Sequence, residues 1–393
     1  MLTKSINNTH YNKHPIIETS RRRRGSLKAA AFLEHIELAK QNKLLPRIYW
    51  HFKQTSKDLI PNDIYSYLEN HFINNSKHNL FLTNELLKTI DLLEKHDIKA
   101  IPFKGPTLSE FLYKNLALRE FVDLDLIVKK EDVWKLREIL LANSFKPYYE
   151  PLKNKQDTFL KRQCSLKFRS PNNVFFDIHW NYAQSYLNYK FDDSIWERVQ
   201  LLDFHNKKIN VLSKEDLFII LSINFSKDGW KTLSNIYDIA ELIKSHDLDW
   251  DFILNKSVEI NCKRVIALSV LLACDIDTLE IPQAILDKIS SFKGLQATKD
   301  KTLKNTLKLQ SHKINIIESC LFQIQLQKNL SEKLSYLYNF AIAPNERDWS
   351  FINLPKILSF LYIIIRPVRL LSKYLHKRVQ KAFFTPSLNP SDH

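Results

Sequence analysis

The segment Ile98–Val128, IKAIPFKGPTLSEFLYKNLALREFVDLDLIV, decides the fold that the sequence predicts. It opens with a short apolar run that stops at Gly105, and it continues with the apolar spacing of a helix. It closes in Val122–Val128, where apolar side chains alternate with Asp123 and Asp125. Side chains of a strand alternate between its two faces, so both acids project from one face, with Cα atoms roughly 6.5 Å apart.

Two acids on one face of an apolar strand are costly unless positive charge compensates them. A divalent cation held by Asp123 and Asp125 is one solution, and an edge strand whose polar face contacts water is the alternative. Gly105 favours the cation, because the chain has only 4 glycines among 393 residues, far below the usual share of about 7%. A glycine kept between a strand and a helix indicates a positive φ or a close approach of the backbone to a ligand.

The motifs of this segment resemble those of a largely uncharacterised nucleotidyltransferase family, within the superfamily that includes polymerase β and the minimal nucleotidyltransferases. The matching motifs are Lys104–Leu108, Leu118-Arg119 and Asp123–Val128. The resemblance extends from about Ala39 to Tyr374, with the strongest motifs before Trp180. It implies an α+β fold, in which a small mixed β-sheet nucleotidyltransferase core is flanked by an N-terminal helical segment and a helical C-terminal lobe.

The resemblance also implies a third carboxylate, on a strand two elements after the first two acids. Val174–Trp180 alternates so that Phe175, Asp177 and His179 share one face, and its Asp-Ile-His-Trp sequence fits the family. We expect Asp177 to complete the set of acids. His179 either orients Asp177 or the nucleotide from behind, or is a plain polar residue of the strand.

By this resemblance the protein is a nucleotidyltransferase that uses two metal ions, Mg²⁺ or Mn²⁺. It would move a nucleoside monophosphate from a nucleoside triphosphate such as ATP to an acceptor hydroxyl, on a small molecule or peptide in preference to tRNA. The alternatives are a degenerate module that binds nucleotide or RNA without turnover, and a membrane-surface scaffold. The expected metal ligands and catalytic residues are Asp123, Asp125 and Asp177, and the expected nucleotide-binding residues are Lys104, Gly105, Thr107 and Arg119.

One departure from the superfamily affects the phosphate contacts. Pro106 follows Gly105 where the superfamily has a Gly-Ser turn, so Lys104 or Thr107 would replace the serine. The resemblance also places an acid at Asp238, for which we expect a structural role.

Periodicity predicts five strands joined to helical regions. The predicted strands are Ile98–Phe103, Val122–Val128, Phe145–Tyr149, Ser165–Ser170 and Val174–Trp180. Helical spacing predicts helices from Ser26 onwards, the last of them Asn84–His96 directly before the sheet. Beyond Leu201 the chain is expected to be mostly helical. The predicted division is a disordered basic tail (1–25), a nucleotidyltransferase core with N-terminal helices (26–200), a helical C-terminal domain (201–383) and a frayed tail (384–393).

The net charge of +15 favours anionic partners such as nucleotides, nucleic acid or a membrane surface. Scattered cysteines, no secretory signal and no apolar run of about 18 residues predict a cytoplasmic protein. The C-terminal stretch ends in a basic helix beginning near Arg369. We expect this stretch to pack on the catalytic lobe, and a weak peripheral contact with a membrane is the alternative.

Overall fold

The structure is a computed structural model that describes residues 34–55, 60–150, 153–308, 316–342, 344, 346–352, 354–369 and 372. It confirms the α+β class and the mixed sheet between helical segments. The predicted tails, 1–25 and 384–393, lie outside the described residues. The predicted division into two folded domains stays a prediction.

All five predicted strands form a single sheet in the order β1-β2-β5-β4-β3. The strands are β1 (Ala100–Pro102), β2 (Asp123–Val128), β3 (Lys146–Pro147), β4 (Ser165–Arg169) and β5 (Phe175–His179). The pairing of β2 with β5 is parallel, whereas the other three pairings are antiparallel. Strands β2 and β5 are therefore neighbours although about 50 residues separate them in the chain.

Helices lead into the sheet and connect its strands. Residues 34–41 are helical, and α1 (Leu45–Gln54) and α2 (Asn62–Glu94) follow before β1. Between the strands lie α3 (Gly105–Tyr113), α4 (Val133–Ala142) and α5 (Gln156–Arg162). Helix α2 starts directly after Pro61, where a proline fits the first turn.

The separate helix predicted at Asn84–His96 is wrong, because α2 runs unbroken through 33 residues. The polar stretch in its middle has a structural use. Asn75 donates to the carbonyls of Ala117 and Arg119, and Asn79 donates to those of Leu116 and Arg119. The asparagines therefore fix the loop before β2 without interrupting the helix.

A two-stranded hairpin that the sequence reading missed separates the sheet from the C-terminal helices. Its strands are β6 (Gln200–Phe204) and β7 (Lys207–Val211). The helices that follow are α6 (Lys214–Lys227), α7 (Leu233–Ser245), α8 (Trp250–Glu259), α9 (Lys263–Ile276), α10 (Gln283–Ser290), α11 (Leu295–Thr306), α12 (Ile316–Gln325), α13 (Leu330–Ile342) and α14 (Glu346–Phe351), and residues 362–369 are also helical. Ser213 caps α6, since its side chain accepts from the backbone N–H of Asp216.

The two faces of the sheet contact two different apolar clusters. Leu124, Leu126, Phe176 and Ile178 point to one face and pack with α2 and α4. The opposite face carries Asp123, Asp125, Asp177, His179, Ser165, Lys167 and Arg169, and we call it the polar sheet face. Ile127, at one end of this face, packs into the cluster that contains helices α6–α9. The acids and cations named above occupy the part of the face beyond Ile127.

The described part of the C-terminal stretch packs on the apolar cluster of the sheet, whereas the basic helix predicted from near Arg369 lies almost wholly outside the described residues. Trp349 lies 6.2 Å from the Phe159 ring of α5, between ring centroids. The buried carboxylate of Asp348 accepts from Arg366 at 2.7 Å and from Arg369 at 2.6 Å. Within the described ranges, no helix has both the length and the apolar character needed to cross a bilayer.

The central position of β5 makes its buried side chains sensitive to truncation. Ile178 is 0% exposed and lies between β2 and β4. We expect Ile178→Ala to lower the free energy of unfolding by about 2–5 kcal/mol, through lost burial and the cavity left behind. Urea unfolding followed by circular dichroism measures this loss.

The matched control is Leu201→Ala on β6, where the leucine is 67% exposed. That change should stay within about 0.5 kcal/mol of the unmodified protein. Equal effects of the two substitutions would contradict the central placement of β5.

Candidate active site

The register of β2 and β5 brings the predicted acids together. Asp125 and Asp177 are direct neighbours across the parallel pair, and Asp123 lies opposite Phe175. Neighbouring strands are about 4.8 Å apart, so the Cα atoms of Asp123 and Asp177 lie roughly 8 Å from each other. Three carboxylates therefore occupy adjoining positions of the polar sheet face.

Two cations hold Asp125, which is only 5% exposed. Its Oδ1 atom accepts from Lys104 Nζ at 3.2 Å and lies 3.1 Å from His179 Nε2. The same imidazole nitrogen lies 3.6 Å from Asp177 Oδ2. His179, which the sequence left between two roles, thus contacts two of the three acids from the buried end of the sheet.

The protonation of this cluster follows from those contacts. Burial alone would raise the pKa of Asp125, but Lys104 and His179 outweigh it and hold the pKa below its usual range. Burial lowers the pKa of His179, whereas Asp177 and Asp125 raise it to about 9. Burial and the charge of Asp125 raise the pKa of Asp123, with only partial relief from Lys104. Asp123 is therefore the acid least compensated by protein groups.

A lysine that the sequence reading missed contacts the third acid. Lys167 of β4 lies directly opposite Asp177, and its Nζ atom lies 3.3 Å from Asp177 Oδ2. This contact raises the pKa of Lys167. The alternation of β4 gave the signal, because it places Ser165, Lys167 and Arg169 on one face of a strand next to the acids.

Gly105 begins α3 with a φ of +57°. An added Cβ atom would meet Leu124 Cδ2 at 3.4 Å, an ordinary contact, so the backbone angle explains the glycine better than crowding does. Thr107 uses its hydroxyl within the turn, because it donates to the Lys104 carbonyl at 2.8 Å. Its predicted phosphate contact, like that of Gly105, stays a prediction.

Arg119, predicted to bind nucleotide, is buried against Asp238 of α7. Its Nε and Nη2 atoms donate to the carboxylate at 2.9–3.2 Å, and its Nη1 atom donates to the Gly105 carbonyl at 3.2 Å. Asp238 also accepts from Arg47 of α1 at 2.6 Å and from Tyr113 of α3 at 2.8 Å. All three nitrogens of Arg119 thus have protein partners, and the side chain supports the glycine turn from within.

The buried position of Asp238 also affects its pKa. The side chain is 0% exposed, and burial alone would raise the pKa of the carboxyl. Arg119 and Arg47 outweigh that cost and hold the pKa below its usual range. The carboxylate is therefore charged in the folded protein and ties α7 to α1, α3 and the segment before β2.

The donor set suits a divalent cation. Within the described ranges, Asp125, Asp177 and His179 form a group whose ligand atoms all lie within 4.8 Å of one another. Asp177 Oδ1 is buried without a hydrogen-bond partner, and a buried orphan oxygen beside two other acids is a ready ligand. Three carboxylates satisfy the preference of Mg²⁺ for oxygen, and the imidazole nitrogen is a ligand better suited to transition metals.

A mixed sheet that holds three acids beside a glycine turn defines a nucleotidyltransferase core. The sequence matches the family described as uncharacterised nucleotidyltransferase over residues 29–276. The match covers well over half of the chain, and the chain belongs to this family. The resemblance inferred from the motifs is thereby confirmed, and with it a nucleotidyl transfer function in its general form.

A solved structure of a lincosamide antibiotic adenylyltransferase with lincomycin bound is also similar. It shares 16% sequence identity, with 40% of this chain and 94% of that chain covered and a TM-score of 0.29. No curated protein matches the chain.

Asp238 should be essential for folding stability. Asp238→Asn leaves two arginines buried with a neutral partner, which should cost about 3–5 kcal/mol of unfolding free energy, measured by urea titration at pH 7. The matched control is Asp287→Asn, on the exposed surface of α10, where the change should be within about 0.5 kcal/mol.

The unmodified protein and Asp238→Asn can also be compared as a function of pH. Because the folded pKa of Asp238 is lowered, its contribution is present above the unfolded-state pKa of about 3.9 and is lost as pH falls below it. The unmodified protein should therefore lose more stability than Asp238→Asn in that acid range. Parallel pH profiles would contradict the role assigned to this carboxylate.

Proposed function

We propose that the protein is a Mg²⁺-dependent nucleotidyltransferase that moves a nucleoside monophosphate from a nucleoside triphosphate to a hydroxyl of a small molecule or peptide. The observation that carries this proposal is the register that sets Asp125 beside Asp177, with Asp123 two residues away on the same face. In the reaction, the acceptor oxygen forms a bond to the α-phosphorus, and the bond from the α-phosphorus to the bridging oxygen breaks. Pyrophosphate leaves with that oxygen, and the hydroxyl proton is released to water.

Asp123, Asp125 and Asp177 would hold the divalent cations. When bound, such ions neutralise the phosphates and lower the pKa of the acceptor hydroxyl. Two neighbouring side chains orient the carboxylate of Asp125 for this role. His179 donates towards Asp125 and fixes the direction of its carboxylate, and Lys104 holds the same oxygen from the side of the glycine turn.

The start of α3 is the expected contact for the α-phosphate, the part of the phosphate chain that lies at the acids. Backbone N–H groups of a first helical turn have no partners within the helix, and the helix dipole favours anions there. Gly105 gives this turn its positive φ, and Arg119 fixes the Gly105 carbonyl from below. The turn is thus rigid before a nucleotide binds, which reduces the ordering cost of binding.

One observation favours a second candidate, a degenerate module that binds nucleotide without turnover. Lys104 and His179 already neutralise Asp125 from within the protein. If these cations stay in place, metal binding at Asp125 is weakened. Turnover decides between the two candidates.

The deciding assay uses four α-labelled nucleoside triphosphates with purified protein, Mg²⁺ or Mn²⁺, and a deproteinised cell extract as the source of acceptor. We expect one triphosphate to yield a labelled product that disappears when EDTA is added. Label that is bound but never transferred would favour the binding module and overturn the proposed activity.

Asp123→Asn is the sharpest substitution for this proposal. An amide keeps the shape but removes a ligand charge, so we expect transfer to fall by at least about 10³-fold in the labelled-product assay. The thermal midpoint should hold or rise, since the folded protein raises the pKa of Asp123 through burial and the nearby charge of Asp125.

Asp203→Asn is the matched control, because Asp203 is exposed on β6 away from the polar sheet face. Its transfer rate should equal that of the unmodified protein. Unfolding of Asp123→Asn, or full activity in that variant, would show that Asp123 is structural.

A further inference from the structure

The charges on the polar sheet face are divided between two halves. Acids occupy the strands β2 and β5, and cations occupy the neighbouring strands β4 and β3. The register gives two cross-strand rows, Asp125–Asp177–Lys167 and Asp123–Phe175–Arg169–Lys146. Residues directly opposite each other in a sheet point to the same side, so a continuous cationic strip borders the acids.

The three cations of this strip are accessible to solvent. Lys167 has a side chain 57% exposed and one ion pair, with Asp177. Arg169 and Lys146 are exposed, and neither has a carboxylate partner among the residues that the structure describes. The guanidinium of Arg169 lies 4.6 Å from the centroid of the Phe175 ring, which holds it over the sheet beside Asp123.

The two cations that the sequence predicts to contact phosphate are less accessible than this strip and already have carboxylate partners. Lys104 is 20% exposed and paired with Asp125, and Arg119 is 7% exposed and paired with Asp238. A triphosphate is strongly anionic, and its β- and γ-phosphates must find positive charge close to the acids that hold its metal ions. Exposed positive charge next to the acids is found on β4 and β3.

We propose that Arg169, Lys146 and Lys167 bind the β- and γ-phosphates of the nucleoside triphosphate, an inference that rests on the proposed function. Two strand spacings place the Cα atom of Arg169 about 10 Å from that of Asp123, within the combined reach of an arginine side chain and a phosphate chain. The planar guanidinium offers paired N–H donors to phosphate oxygens. Binding there would hold the leaving pyrophosphate in place while the α-phosphate stays at the acids.

The test compares affinities for a triphosphate and a monophosphate by isothermal titration calorimetry with Mg²⁺. Both probes carry the same nucleobase, chosen as that of the triphosphate which the unmodified protein binds best among the four. The triphosphate probe has a methylene bridge between its α- and β-phosphates, so that it cannot be cleaved there during the titration. We expect Arg169→Met to weaken the triphosphate analogue roughly 10- to 100-fold, the effect of one lost charge-assisted hydrogen bond. Affinity for the monophosphate should not change.

Three further variants separate charge from folding. Arg169→Met already keeps an unbranched stem over Phe175. Arg169→Lys restores the charge without the paired donors and should regain only part of the lost affinity. Lys146→Ala should repeat the selective loss in weaker form. Lys208→Ala, an exposed lysine on β7, removes the same charge elsewhere and should bind both ligands normally.

The outcomes distinguish the inference from the function on which it rests. Unchanged triphosphate affinity in Arg169→Met, or an equal loss for monophosphate, would overturn the strip as the phosphate site while the proposed function stands. A folded unmodified protein that binds no triphosphate with Mg²⁺ would overturn both.

Discussion

The parallel pairing of β2 with β5 is the constraint from which the site follows, because it fixes the buried carboxylate of Asp125 beside the half-buried one of Asp177. Like charges at that separation cannot both stay ionised in an apolar interior unless positive charge is supplied. The protein supplies it from three sides, with Lys104, His179 and Lys167 around Asp125 and Asp177. The fold thus holds the acids charged before a metal binds, at the cost of cations that compete with it.

A second buried charge connects the helical C-terminal part to this site. Asp238 of α7 and Arg119 before β2 are 119 residues apart in the chain and form a bidentate pair. Because Arg119 also donates to the Gly105 carbonyl, a displacement of α7 would be transmitted to the turn that begins α3. The C-terminal helices therefore support the glycine turn of the candidate site through Arg119, although the three acids lie on β2 and β5.

The success of the sequence reading depended on how local each signal is. Strands with a strict period of two and the glycine turn are local features, and all five strands of the sheet were predicted. The hairpin β6–β7 was missed because its turn, His205-Asn206, contains no glycine, although both residues adopt a positive φ. The burial of Arg119 against Asp238 could not be predicted, since a pairing between distant segments leaves no pattern in one sequence.

Lys167 was missed because its contact with Asp177 depends on the register between two strands, which composition does not reveal. A lysine on a short strand is usually solvated, and its sequence neighbours distinguish it little from other exposed lysines. Only the antiparallel pairing of β4 with β5 sets it opposite Asp177, and the same pairing sets Arg169 opposite Phe175. A shift of one residue would turn both cations to the buried face, where Leu166 and Phe168 now pack. The apolar side of β4 therefore fixes the position of the charges on its polar side.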